Sequence, residues 1–144
     1  MCIRDRDQIQ NDFKDTDIVL ERISAVENNN GHYGCSKSIQ KAVQIGKDNN
    51  LEYIIIFEDD NTPTENFNTN WPIIKEWLDN DTEWDIFNGA AKYDGEYEGK
   101  LYKSLENNMN LYEMKMILTT NCICVNKKAY DLSLIHISEP TRPY

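Results

Sequence analysis

The chain has 144 residues, of which 40% are hydrophobic and 28% charged, an ordinary globular composition sized for one small domain or part of a larger one. Its formal net charge of -10 argues against a nucleic-acid backbone or an anionic membrane as a general partner, although a cation can still bridge a phosphate to acidic protein. No apolar run approaches the length of a membrane span.

Both ends read as foreign to the rest. Residues 1–6 (MCIRDR) and 132–144 (LSLIHISEPTRPY) resemble translated sequencing-adapter read-through at the edges of assembled metagenomic reading frames, so the domain is expected over 7–131, truncated at both ends. The segment 132–144 is expected to pack poorly, beyond an extension of the helix before it. Arg22 to Val26 (RISAV) is a strand candidate closed by Glu27 and the turn cluster Asn28-Asn29-Asn30-Gly31. From Gly34 to Lys47, Cys35, Ile39, Ala42, Val43 and Gly46 recur at helical spacing, with Ser36 or Ser38 in the first turn. Tyr53 to Phe57 (YIIIF) is all β-branched or aromatic, and a continuous apolar run suits a central strand covered on both faces of a parallel sheet. Strand, helix and strand in that order make a βαβ unit.

Asn61 to Asn70 reads as a polar loop. Trp71-Pro72 opens a second helix, proline being tolerated in a first turn, with Ile73, Ile74, Trp77 and Leu78 as its apolar face. Trp84 to Asn88 is a strand stopped by Gly89; Tyr93 to Gly99 is a loop; Lys100 to Ser104 is a further strand. Met114 to Val125 reads as one strand kinked near Asn121, and Asn126 to Asp131 opens a helix. Trp71, Trp77 and Trp84 are expected in the core rather than stacked on a sugar. Cys35, Cys122 and Cys124 form no Cys-x-x-Cys pair, which disfavours zinc; reduced packing thiols suit a cytoplasmic setting. Asn80-Asp81-Thr82 fits a glycosylation sequon, a motif short enough to be common by chance.

The most informative stretch is the end of the YIIIF run. Glu58, Asp59 and Asp60 follow it directly, and ligands of parallel α/β sheets bind outside the carboxyl ends of strands. Three adjacent acids repel one another, and a divalent cation on hard oxygen ligands would remove that repulsion. The bland alternative is a solvated acidic turn leaving a core strand. Strand alternation points Asp59 away from its two neighbours.

Taken in order, these pieces resemble glycosyltransferase family 25, the lipopolysaccharide-biosynthesis and procollagen galactosyltransferase family. Arg22, Ala25, Val26 and Glu27 match its Arg…Ala-Val-acidic strand end. Gly34, Cys35 and Ser38 match its Gly-Cys-x-x-Ser-His helix start, with Ile39 replacing the histidine. Glu58, Asp59 and Asp60 match its Glu-Asp-Asp; Trp84, Asp85 and Gly89 its Trp-Asp strand; Thr119, Thr120, Lys127 and Ala129 its Thr-rich strand and following helix. The resemblance implies an α/β fold, the Rossmann-like GT-A domain of nucleotide-sugar transferases. It implies transfer of a hexose from a nucleoside-diphosphate sugar, a UDP-hexose, to a hydroxyl of a glycan or protein acceptor. Donor contacts would come from Ala25, Val26, Glu27, Glu58, Asp59 and Asp60. Manganese or magnesium would sit on the Asp-x-Asp-like pair Glu58 and Asp60, with Asp60 the direct ligand and Glu58 on the donor sugar, its ribose or a water held by the metal. No general base can be named within 7–131.

Two other readings compete. Receiver domains of response regulators also end an apolar strand on Glu-Asp-Asp and bind magnesium there. They need a phosphoacceptor aspartate on a later strand, where this chain has Asn88 and Gly89. A catalytically dead carbohydrate-binding or interaction domain descended from a transferase is the third reading.

Overall fold

The computed structural model describes residues 6–58, 61–90, 99–114 and 121–136. Asp59, Asp60, Thr119, Thr120 and most of the expected 93–99 loop therefore lie outside the described residues, as do 1–5 and 137–144. The elements in order are α1 (Arg6–Asp12), α2 (Gly31–Asp48), β1 (Tyr53–Phe57), α3 (Phe67–Asn80), β2 (Ile86–Asn88), β3 (Lys100–Ser104), β4 (Asn110–Glu113), β5 (Cys122–Asn126), a 3-10 turn (Lys127–Ala129) and α4 (Tyr130–His136). The protein is mixed α/β. No helix among the described residues is long and apolar enough to cross a membrane.

A three-stranded sheet has the order β1-β5-β2. Its hydrogen bonds set the strand directions. Lys127 N–H donates to Glu52 O and Glu58 N–H to Asn121 O, so β5 retreats as β1 advances. Asn126 N–H donates to Asp85 O and Gly89 N–H to Cys122 O, the same opposed run for β2. β5 is thus antiparallel to both neighbours, while β1 and β2, which do not touch as neighbours, run the same way.

This corrects the expectation of a central parallel strand at Tyr53–Phe57. Among the described strands β1 lies at the sheet's edge and is half-buried along its length. The central place belongs to β5, whose Ile123, Cys124 and Val125 are buried. Both segments carry the same continuous apolar signal, which reports burial without reporting direction or neighbours. The expected strand over Arg22–Val26 does not form either: residues 18–28 have no regular secondary structure. β-branched composition favours a strand only when a partner edge is present. Here Val26 N–H instead donates to Ser38 Oγ at 2.9 Å.

The chain divides into two compact units. One comprises 20–56, 84–87 and 123–144. In it α2 begins three residues before the expected Gly34, because Asn30 caps it: its Oδ1 accepts from Tyr33 N–H. Val43, Ile123, Val125, Ala129 and Tyr130 form the core, with Ile39, Ile54, Ile56 and Leu134 packed against them. Helix α2 therefore packs on the sheet as its period requires, and Ile39, in the slot of the family's histidine, is a packing residue. A Cβ on Gly46 would meet Ile54 Cγ2 at 2.5 Å and the Tyr130 hydroxyl oxygen at 3.0 Å, so α2 approaches as closely as glycine allows. Cys35 departs from expectation, being exposed rather than packed; the buried face runs through Gly34, Ala42, Val43 and Gly46 instead. Ser133 and Leu134, expected to stay out of the packing, take part in it. They stand three and four residues beyond Tyr130, on the same face of α4.

The other unit comprises 1–19, 57–83 and 88–122. Phe13 packs on Phe57 and edge-on to Phe67, which stacks on Trp71. Trp71 Nε1–H donates to Asp17 Oδ1 at 2.8 Å. Helix α3 begins at Phe67 rather than at Trp71, so Pro72 lies inside it, beyond the first turn. Phe67 N–H donates to Thr64 O and Asn70 N–H to Asn66 O, bonds that wind the helix before the proline is reached. β3 and β4 form a hairpin that the sequence reading missed by half. Its turn is Glu106 to Met109, closed by Met109 N–H to Glu106 O, with Asn107 and Asn108 at φ 54° and 57°. Two left-handed central residues make a type I′ turn, and asparagine is among the few residues that tolerate it.

Candidate functional site

Strand β1 delivers Glu58 to the end of the sheet at which β2 also ends. Glu58 N–H donates to Asn121 O at 3.0 Å, and Asn61 N–H donates back to Glu58 O at 3.0 Å. The Asn61 side-chain Nδ2 donates to the same Asn121 carbonyl at 3.1 Å. One carbonyl, at the residue preceding β5, thus fixes both ends of the stretch that contains the acidic triplet. On the other side of β5, Gly89 N–H donates to Cys122 O at 2.9 Å and Asn88 Oδ1 accepts from Ala90 N–H. Glu58, Asn61, Asn121, Asn88 and Gly89 therefore lie at one end of the three strands. Glu58 is half-buried.

In the sequence Asn61 reads as a loop start and Asn121 as a strand kink, neither as a residue of the site. The available signal is positional: an asparagine directly after the acids and another directly before an apolar strand, both residues that bond to local backbone at turns.

Of the sequence-predicted donor residues, Glu58 is described, while Asp59 and Asp60 lie outside the described residues. Ala25, Val26 and Glu27 are exposed and belong to the other compact unit. The Val26 carbonyl lies over Gly34, where a Cβ would come within 2.7 Å of its oxygen, so this segment is laid against the start of α2. Among the described residues no three His, Cys, Asp or Glu side chains gather to hold a metal ion. The described part alone thus does not make a metal site, and Glu58 is its sole member of the proposed pair.

Other matched positions do structural work. Trp84 is buried, edge-on to Tyr53 at 5.8 Å. Ala129 belongs to the core, and Lys127 Nζ pairs with Glu52 Oε1 at 3.1 Å. The three tryptophans are buried at 6–7% exposure, as expected of core residues.

Glu58 lines neither of two hollows among the described residues. A cleft of about 460 Å³ is formed by Asp15, Thr16 and Asp17 against the Trp71, Lys75 and Asp79 side of α3. Lys75 Nζ lies 2.7 Å from Asp79 and 3.8 Å from Asp17, and these carboxylates, Asp79 first, hold its ammonium above the usual lysine range. A smaller hollow of about 190 Å³ is lined by Thr62, Pro63 and Thr64, the loop that follows the triplet, together with Phe67.

Cys122 sits beside Gly89 with its thiol pushed up to about 11 by burial, which keeps it protonated and unreactive at neutral pH. At the far end of α3, burial favours protonating Asp81. The Glu83 N–H, the Trp77 Nε1–H, the Tyr102 hydroxyl and Lys103 outweigh that and hold its carboxyl below the usual range.

No protein-family model matches the chain, and no curated protein matches it.

Proposed function

We propose that the chain is part of a metal-assisted glycosyltransferase that moves a hexose from a nucleoside-diphosphate sugar to an acceptor hydroxyl. The observation that carries this reading is the position of Glu58. It opens an acidic triplet at the carboxyl end of β1, at the end of the sheet where the like-directed β2 also stops. In open, mostly parallel α/β sheets ligands bind outside the carboxyl ends of strands, and here β1 and β2, although separated by the antiparallel β5, point their carboxyl ends the same way. The ordered set of motifs over 22–129, from the Ala25-Val26-Glu27 segment to Ala129, supplies the choice of donor class.

In this reading Asp60 and Glu58 would hold manganese or magnesium, which would supply positive charge against that of a departing nucleoside diphosphate. The protein's own part is positioning. The Asn121 carbonyl accepts from Glu58 N–H and from the Asn61 side-chain amide, which holds the two described residues that flank Asp59 and Asp60 in the sequence. Glu58 takes a hydroxyl of the donor. The receiver-like alternative requires a phosphoacceptor carboxylate at the end of β2. Asn88 stands there with its amide oxygen occupied by Ala90 N–H.

The test is titration of UDP-hexoses into wild type, Asp60→Asn and Asp59→Asn, each with manganese and with chelator. Manganese should tighten binding to wild type. Asp60→Asn should lose about tenfold or more of that gain, roughly 1.4 kcal/mol. Asp59→Asn should lose less. Equal affinity of wild type and Asp60→Asn at matched manganese would sink the assignment and leave a solvated acidic turn.

A further inference from the structure

The sequence contains the dipeptide Asn-Gly twice, at Asn30-Gly31 and Asn88-Gly89. In this dipeptide the glycine nitrogen can attack the asparagine side-chain amide, because no Cβ shields it. The fold gives the two pairs opposite surroundings. Gly89 N–H is committed to the sheet, donating to Cys122 O at 2.9 Å, and Asn88 is half-buried with its Oδ1 accepting from Ala90 N–H at 2.9 Å. Asn30 and Gly31 are both exposed. Gly31 is the first residue of α2, so its N–H is one of those for which a helix provides no internal acceptor. Nothing lies within 4 Å of the place where its Cβ would be. The Asn30 amide oxygen accepts from Tyr33 N–H at 3.3 Å, a contact that draws electron density from the amide carbon and favours attack on it.

We propose that Asn30 is a site of spontaneous, intramolecular modification, where water and ambient base convert the α2 cap to aspartate and isoaspartate. The Gly31 nitrogen gives its proton to base and attacks Asn30 Cγ. The N–Cγ bond forms, the Cγ–Nδ2 bond breaks, and the side-chain nitrogen leaves as ammonia after taking a proton from water. A five-membered succinimide remains. Water then opens it at either carbonyl without any change of oxidation state. Opening at Cγ restores the chain with aspartate at the cap, which still accepts from Tyr33 N–H and adds a negative charge at a helix N-terminus, where the dipole favours it. Opening at the backbone carbonyl routes the chain through the side chain. That lengthens it by one atom between Asn29 and α2 and removes the cap geometry.

The experiment is incubation of the whole chain in mildly alkaline buffer, with peptide mapping by mass spectrometry over time. Asn30 should convert at least about tenfold faster than Asn88, a barrier difference of roughly 1.4 kcal/mol. Asn28 and Asn29, neighbours in the same exposed turn but followed by asparagines, should also lag behind Asn30. Gly31→Ala, whose added Cβ meets open space, should slow Asn30 by a comparable factor. In strong denaturant the rates at Asn30 and Asn88 should come together. Equal rates in the folded protein, no effect of Gly31→Ala, or a ratio that survives denaturant would each overturn the proposal.

Discussion

The two compact units are held by different physics. Around α2 and β5 the contacts are mostly aliphatic: Val43 is fully buried, Val125 and Cys124 nearly so, and Tyr130 adds a ring whose hydroxyl reaches Leu51 O at 3.2 Å. Around α3, beside Leu78 and Phe13, the two buried tryptophans have their indole N–H groups tied to carboxylates, Trp71 to Asp17 and Trp77 to Asp81, and the exposed Tyr102 bonds to Asp81 as well. Burial is non-directional and scales with area, whereas a carboxylate lock fixes geometry and depends on ionisation. The lesson is that the first unit should respond to lost volume and the second to lost charge.

The largest effect tests the aliphatic side. Tyr130→Ala removes a 2%-exposed ring from the core cluster and should cost roughly 3–5 kcal/mol, read from the denaturant midpoint. A cost below that of removing Asp81 would invert the comparison.

Next comes the lock itself. Asp81→Ala strands the Trp77 and Tyr102 donors and the Glu83 N–H, and should cost about 2 kcal/mol. The charge-only variant Asp81→Asn sharpens the point through pH. The folded-state value of Asp81 lies below its unfolded value of about 3.9, so its stabilisation is full above that pH and is lost as pH falls through the folded value. The stability gap between wild type and Asp81→Asn should therefore be level from neutral pH down to about 4 and shrink below it. A gap that is the same at pH 3 and pH 7 would show that the carboxylate's charge is not what fastens α3 to the hairpin.

The smallest effect is at Trp71→Phe, which keeps an aromatic ring beside Phe67 but drops the bond to Asp17. About 1 kcal/mol is expected from unfolding curves. A loss as large as that of Tyr130→Ala would mean volume, not the polar tip, matters there too.

Periodicity made α2, β1, β3 and the buried tryptophans legible, because each of those signals depends on the segment's own residues. What escaped depended on partners. Arg22–Val26 has strand composition without a strand, and β1 and β5 carried one signal but took different places in the sheet. Phe13, buried at 4% exposure, stands alone among polar neighbours in the sequence and finds its partners, Phe57 and Phe67, far along the chain. At the candidate site the acids were visible as a run of like charge. The carbonyl of Asn121 that holds their flanks was not, since a backbone acceptor leaves no mark on composition.

The strand order also dictates when the sheet can exist. β5 is synthesised after both β1 and β2, yet among the described strands it lies between them. Until residues 122–126 have left the ribosome, β1 and β2 lack the partner that joins them, and Glu58 lacks the carbonyl that anchors it. Any chain ending before Asn121 would thus present two open apolar edges in place of one sheet, the kind of species that associates with its own copies before it folds.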